Sequence, residues 1–431
     1  MQEQRRVFGA ELRRLRMAAG LTLTQFAASV HYSKGQISKV ETGQKQATVE
    51  FARLCDSALD AEGSLAALVP HTSGPHSLSA PYQDSGVGMR GTPAHEHTKT
   101  RGPTRRQLMA AGTATTLTAT GATSSPAEAR GDMGAGLLET SRALFGQHRR
   151  LGQLSPPGAV VPVLTEQARS LGRLTEHCGE RTANALLNLS ARYAEFAGWM
   201  AQESGDDEAA VRLTEHAVHI AAAAGDRDLA AYALVRRALI SYYRGDATDT
   251  ITLAEGAVNR RLPPRIRGLA AQHLAQGHAL RGDHSACMRR LDASRELLQQ
   301  DCPDPTVPVL GTTNLRDPAT MITGWCLLDL GRPREAAALL EKACADLPAH
   351  ALRNQARYGV RRALAHAAAG EIEHACAVVR PLLPAVQAVD SATIRLDLRR
   401  LSRTLTRYRK HPSVVDVSPD LTAALHPAPV R

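Results

Sequence analysis

Aromatic side chains are scarce in this 431-residue chain, with Phe, Trp and Tyr together making up 3% of it. A β-sandwich or barrel draws on Val, Ile, Tyr and Phe for its inner faces, so the shortage speaks against one. The recurrent Ala and Leu favour helices packed closely on small side chains instead. No run of about 20 apolar residues occurs, and no membrane-spanning helix is expected. The seven cysteines, at positions 55, 178, 287, 302, 326, 344 and 376, never stand two to four residues apart. That spacing offers neither a zinc knuckle nor a disulfide framework, which points to reduced thiols in a cytoplasmic protein. Catalytic signatures are also missing: there is no nucleophile–base–acid set, no phosphate loop and no paired-carboxylate motif. His95-Glu96-His97 lacks a second ligand cluster. The chain therefore reads as a non-enzyme without metal or cofactor.

What is present is positive charge and helical patterning. The formal net charge is +10, and residues 1–45 hold eight Lys/Arg against three acidic residues. A local excess of this kind suits an acidic partner such as nucleic acid. Composition divides the chain into four regions. Residues 1–70 are dense in helical pattern. Residues 71–132 are rich in Pro, Gly, Ser, Thr and His, and read as a flexible linker. Residues 133–410 return to amphipathic helix. Residues 411–431, with Pro412, Pro419, Pro427 and Pro429, are expected to form a disordered tail. Within the linker, Arg105-Arg106 and the Ala/Thr stretch after it resemble a twin-arginine export signal. It lies behind a folded domain and its following stretch is barely apolar, so a tether is expected.

Two helix starts follow each other closely in residues 22–43. Thr22-Leu23-Thr24-Gln25 and Ser33-Lys34-Gly35-Gln36 both have the capping-box pattern, in which a hydroxyl and a Gln side chain satisfy free amides at a helix start. Only His31 and Tyr32 remain between the first helix and the second cap, and Gly43 supplies a stop. Short capped helices so close together must cross steeply. Leu12, Leu15, Leu21, Phe26, Ala27, Val30, Ile37 and Val40 fall at helical spacing and can share one core.

The run from Leu12 to Gly43, LRRLRMAAGLTLTQFAASVHYSKGQISKVETG, resembles the Cro/C1-type (xenobiotic-response-element) helix-turn-helix family. The resemblance implies a five-helix, lambda-repressor-like DNA-binding domain. It implies that Lys34, Gly35, Gln36 and Lys39 lie on the recognition helix facing base edges, that Thr22 and Ser33 start helices against phosphates, and that Arg16 and Glu41 form an ion pair between helices. Three positions depart from the family pattern. His31 stands where glycine is usual in a left-handed turn, Gly35 offers no side chain to a base, and Ala47 replaces a frequent proline.

Further along, Gly205, Gly245, Gly282, Gly331 and Gly370 recur at intervals of 40, 37, 49 and 39 residues. Five residues after each stands Ala210, Thr250, Cys287, Ala336 or Ala375. Small residues at fixed places let antiparallel helices approach closely, and stacked pairs share a continuous core. The widest interval holds Pro303, Pro305, Pro308 and Pro318, which suggests an added loop. The pattern resembles tetratricopeptide-type repeats, implying an α-solenoid of helical hairpins. Asn184, Asn188, Arg192, Tyr232 and Arg236 are candidates to line its groove.

The combined expectation is an all-α, cytoplasmic transcriptional regulator. Its partners would be double-stranded operator DNA, a second copy in a homodimer, and a peptide, small-molecule effector or protein partner received by the repeats. The rival reading is a tetratricopeptide scaffold for protein contacts with a minor DNA-binding role.

Overall fold

A computed structural model describes residues 2–69, 126–304 and 307–426. Among these residues every regular element is helical, as the scarcity of aromatics led us to expect. The His95-Glu96-His97 run, Arg105-Arg106, and most of the expected linker lie outside the described residues.

The N-terminal unit contains α1 (Gln2–Ala18), α2 (Leu23–Ser29), α3 (Lys34–Glu41), α4 (Val49–Leu59) and α5 (Ser64–Ala67). Leu12, Phe26, Val30, Ile37, Phe51, Cys55 and Leu65 fill its core and are almost fully buried. Next come α6 (Pro126–Leu154) and α7 (Pro157–Leu174). The helix of α6 starts at Pro126, inside the expected linker, with a proline at its first position, where a missing amide costs nothing.

Five helical hairpins follow: α8 (Glu180–Ser204) with α9 (Asp207–Ala223), α10 (Asp228–Tyr243) with α11 (Ala247–Glu255), α12 (Pro264–Arg281) with α13 (His284–Gln299), α14 (Pro318–Asp329) with α15 (Pro333–Ala345), and α16 (Leu352–Ala368) with α17 (Ile372–Val379). The five repeating glycines sit at their five turns, with φ between 76° and 95°. Asp206, Asp246 and Asp283 immediately follow three of them and accept the free amides of Ala209, Asp249 and Ala286 at 2.8–2.9 Å. A Gly-Asp pair thus ends one helix and caps the next. The residue five places on is buried in every hairpin: Ala210, Thr250, Cys287, Ala336 and Ala375 are each 0–1% exposed.

The chain closes with α18 (Leu383–Val389), α19 (Ala392–Leu405) and α20 (Pro412–Leu425). The last helix corrects the expectation of a disordered tail. Pro412 occupies its first turn, and Val414, Val417, Leu421 and Ala424 bury a stripe at helical spacing in the same core as α17 and α18. Pro419 does not prevent the helix from continuing.

The repeats do not remain an open solenoid. Glu203, on α8, is 1% exposed and bonds to residues 150–190 positions away. Arg353 and Arg357 of α16 reach its Oε2 at 3.1 and 2.6 Å, Ser391 donates to it at 2.7 Å, and Thr393 donates to Oε1 at 3.0 Å. Arg353 also donates to the carbonyls of Gly152, Ser155 and Val389, which joins α6, α16 and α18. Burial alone would raise the Glu203 carboxyl; Arg357 and Arg353, with the Ser391 hydroxyl, reverse that and hold it at about 2. The first and last hairpins are therefore tied across the interior.

Packing between neighbouring hairpins corrects the groove expectation for three of the candidates. Arg192 pairs with Asp226 at 3.1 Å, Arg236 bonds Gln202 at 2.9 Å, and Tyr232 is 3% exposed. All three are interior side chains. The loop between α13 and α14 is pinned to the array at Val309–Thr312, where Leu310 is buried: Arg149 donates to the carbonyls of Val309 and Gly311, and Arg265 to those of Leu310 and Thr312. Of the five candidates, only Asn184 is exposed, and Asn188 is half-buried.

Removing one partner of a buried ion cluster leaves the others uncompensated, at a cost of about 3–5 kcal/mol. Glu203→Gln keeps the shape but strands Arg353 and Arg357. It should lower the free energy of unfolding by that order in a denaturant titration, and an unchanged midpoint and slope would contradict the role given to this carboxylate.

Candidate nucleic-acid interface

The two short helices cross as their caps dictate. Thr22 forms the full reciprocal box, accepting from the Gln25 amide while its own amide donates to Gln25 Oε1 at 2.9 Å. Ser33 accepts from the Gln36 amide at 3.2 Å, but the Gln36 side chain does not return the bond. Between them His31 adopts φ 56°, the left-handed conformation that glycine usually provides. Gly43, at φ 71°, follows the end of α3.

Arg16 ties α1 to the far end of α3. Its Nε and Nη2 donate to the two carboxylate oxygens of Glu41 at 2.6 and 3.0 Å, and Nη1 donates to the Leu21 carbonyl at 2.7 Å. Both side chains are under 10% exposed. A fork of this geometry fixes an angle as well as a distance. Gly9 completes the joint. A Cβ there would stand 2.5 Å from the Val40 carbonyl oxygen, so α1 and α3 touch through backbone. The composition of α1 gave no sign of this contact.

The face that α2 and α3 turn to solvent holds every expected contact residue. Thr22, Ser33, Lys34, Gly35 and Lys39 are exposed, Gln36 is half-buried, and nothing lies within 4 Å of a Cβ built on Gly35. Two exposed lysines stand on one short helix, an arrangement suited to phosphates and to guanine edges.

The unit is seated on the repeats through α4, the turn before α5 and the turn between α2 and α3. Three successive hairpin glycines meet it: Gly282 against Gly63, Gly331 against the backbone of Arg53 and Leu54, and Gly370 against the imidazole of His31. A Cβ on Gly331 would lie 2.3 Å from the Arg53 carbonyl oxygen, and one on Gly370 2.6 Å from His31 Nδ1. Arg53 donates to the Leu280 carbonyl at 2.7 Å, placing a cation at the C-terminal end of α12, where carbonyls are unpaired. From the turn after α19, Arg407 stacks on the Tyr32 ring at 4.3 Å and Tyr408 donates to the His31 carbonyl at 3.4 Å. On α4, desolvation beside the repeats would raise the Glu50 carboxyl, but Arg400, a backbone amide, Arg403 and the Thr48 hydroxyl together hold it below its ordinary value.

Residues 7–69 match the helix-turn-helix domain family. Comparison with curated proteins and with solved structures returns no match. The N-terminal unit is a helix-turn-helix domain, and that class supports DNA as its partner.

Seating His31 has a pH consequence. Burial, followed by the guanidinium groups of Arg334 and Arg407, lowers its pKa, while Glu371 acts in the opposite sense. The docked state thus prefers the neutral ring. Docking is favoured above the ordinary His value near 6.5 and weakens as pH falls through the lowered one. Small-angle scattering should show the full chain expanding on acidification through that range. His31→Asn, which tolerates the turn but carries no titrating ring, should flatten the response; an equal response in both proteins would rule His31 out.

Proposed function

We propose that this protein is a sequence-specific transcriptional regulator of the Cro/C1 type, with α3 as its recognition helix. The observation that carries the reading is the exposure of Lys34 and Lys39 on α3 of a helix-turn-helix domain that is itself seated on the repeats. Thr22 and Ser33 would position the domain on phosphates, and Lys34, Gln36 and Lys39 would meet base edges. Gly35 leaves open space that lets the backbone come close to the groove.

One short recognition helix reads few base pairs, so the protein would act as a homodimer on two half-sites about 34 Å apart. The hairpins, which we assign to the tetratricopeptide type, would hold the pair together and receive the effector. Because three of their turns touch the DNA-binding domain directly, a change in hairpin packing can alter where that domain sits without passing through residues 71–125.

The test is operator binding by fluorescence anisotropy across a salt series. Lys34→Ala and Lys39→Ala should each weaken binding, by about 1–3 kcal/mol at a base they read. A lysine that touches only phosphate should instead lower affinity evenly across sequences and flatten the salt slope by about one unit. Full affinity in the double variant would refute the assignment of α3.

A further inference from the structure

Glu341 of α15, His366 of α16 and His374 of α17 converge on one point at the outer end of the last two hairpins. One ligand-capable atom from each lies within 4.8 Å of the others. His366 Nε2 and His374 Nε2 approach the same oxygen, Glu341 Oε2, at 3.1 and 3.5 Å. Bonds of about 2.0–2.1 Å in a tetrahedral shell place neighbouring ligand atoms about 3.3 Å apart, close to the 3.1 and 3.5 Å from Glu341 Oε2 to the two imidazole nitrogens. The two imidazoles stand edge to face with centroids 4.3 Å apart.

A surface ion pair needs one imidazole per carboxylate; this group directs two at a single oxygen. The surroundings complete the case. His366 is 6% exposed, and its second nitrogen, Nδ1, bonds Glu371 Oε2 at 2.5 Å. In the ring form that donates Nδ1–H to Glu371, the Nε2 lone pair is available to a metal at the convergence point. That is the carboxylate–histidine–metal arrangement, which fixes both tautomer and ring orientation. Arg362 lies 3.5 Å from the other Glu341 oxygen and helps to orient it. Glu341 and His374 have about half their side-chain surface exposed, which leaves an entry path and a fourth position for water.

We propose that Glu341, His366 and His374 bind one divalent ion of the zinc class, with Glu371 as the outer-shell carboxylate. Two imidazoles and one carboxylate favour zinc, cobalt or nickel over magnesium or calcium, which prefer all-oxygen shells. The ion would clamp α15, α16 and α17 together. Glu371 also faces His31, so the outer shell borders the surface on which the DNA-binding domain rests. The ligands are 25 and 8 residues apart in sequence, on three helices, and only the hairpin packing unites them.

The experiment is a cobalt titration of the untagged full chain. One equivalent should produce the visible absorption of tetrahedral cobalt without a thiolate charge-transfer band, which sets the seven cysteines aside. His374→Ala and Glu341→Gln, both at exposed positions, should each weaken cobalt binding at least tenfold, and Glu371→Gln about tenfold. Zinc should raise the melting temperature of the wild-type chain and leave that of His374→Ala unchanged. A thiolate band, an octahedral spectrum, no binding, or equal affinity in His374→Ala and Glu341→Gln would each overturn the proposal.

Discussion

Glu203 is a carboxylate placed where water does not reach, and the arrangement of the repeat domain follows from what it must find there. A buried charge needs a partner and a full set of hydrogen bonds, or it ionises only at a large cost. Its partners are Arg353, Arg357, Ser391 and Thr393, all supplied by the far end of the chain. The network continues outward from them. Arg357 and Arg361 share the Tyr243 hydroxyl, Arg361 pairs with Asp397 at 2.8 Å and lies over Trp325, and Arg400 pairs with Asp329. Helix pairs built on alanine slide easily against one another, whereas a chain of directional charged bonds permits one register. The network therefore specifies which hairpin ends meet, and the last helices settle around that closure.

The outer edge of the closed array performs two tasks with the same residues. A glycine at each turn ends one helix in the left-handed conformation, and the absence of a Cβ also lets another backbone rest on the turn. At Gly282, Gly331 and Gly370 that backbone or ring belongs to the helix-turn-helix domain. His31 shows the complementary adjustment. Glycine would satisfy the turn equally well but would leave nothing to set against Gly370. The imidazole fills that place while Lys34 and Lys39 stay exposed.

Local features were legible in the sequence, and distant ones were not. The caps at Thr22 and Ser33, the left-handed turn at His31, the stop at Gly43 and the five hairpin glycines all depend on neighbours within a few residues, so periodicity and turn chemistry reveal them. The helix after Pro412 was misread because four prolines outweighed the buried stripe of Val414, Val417, Leu421 and Ala424. Polarity at Arg192, Tyr232 and Arg236 suits a groove in an open solenoid, but neighbouring hairpins about one repeat away take up the two arginines in interior pairs with Asp226 and Gln202. The convergence of Glu341, His366 and His374, and the seating of Arg53 on α12, likewise exist only once separate hairpins are stacked.

The central claim is that α3 reads a particular DNA sequence, and the most direct measurement is selection by the full chain from a pool of random duplexes. Affinity for the enriched duplex and for an unrelated one would then be compared at the same salt concentration. The account predicts a recurrent pair of half-sites, bound about a thousandfold or more tightly than unrelated DNA. Equal affinity for the two, with no sequence enriched, would show that the positive face provides only general attraction to phosphate and would contradict the account.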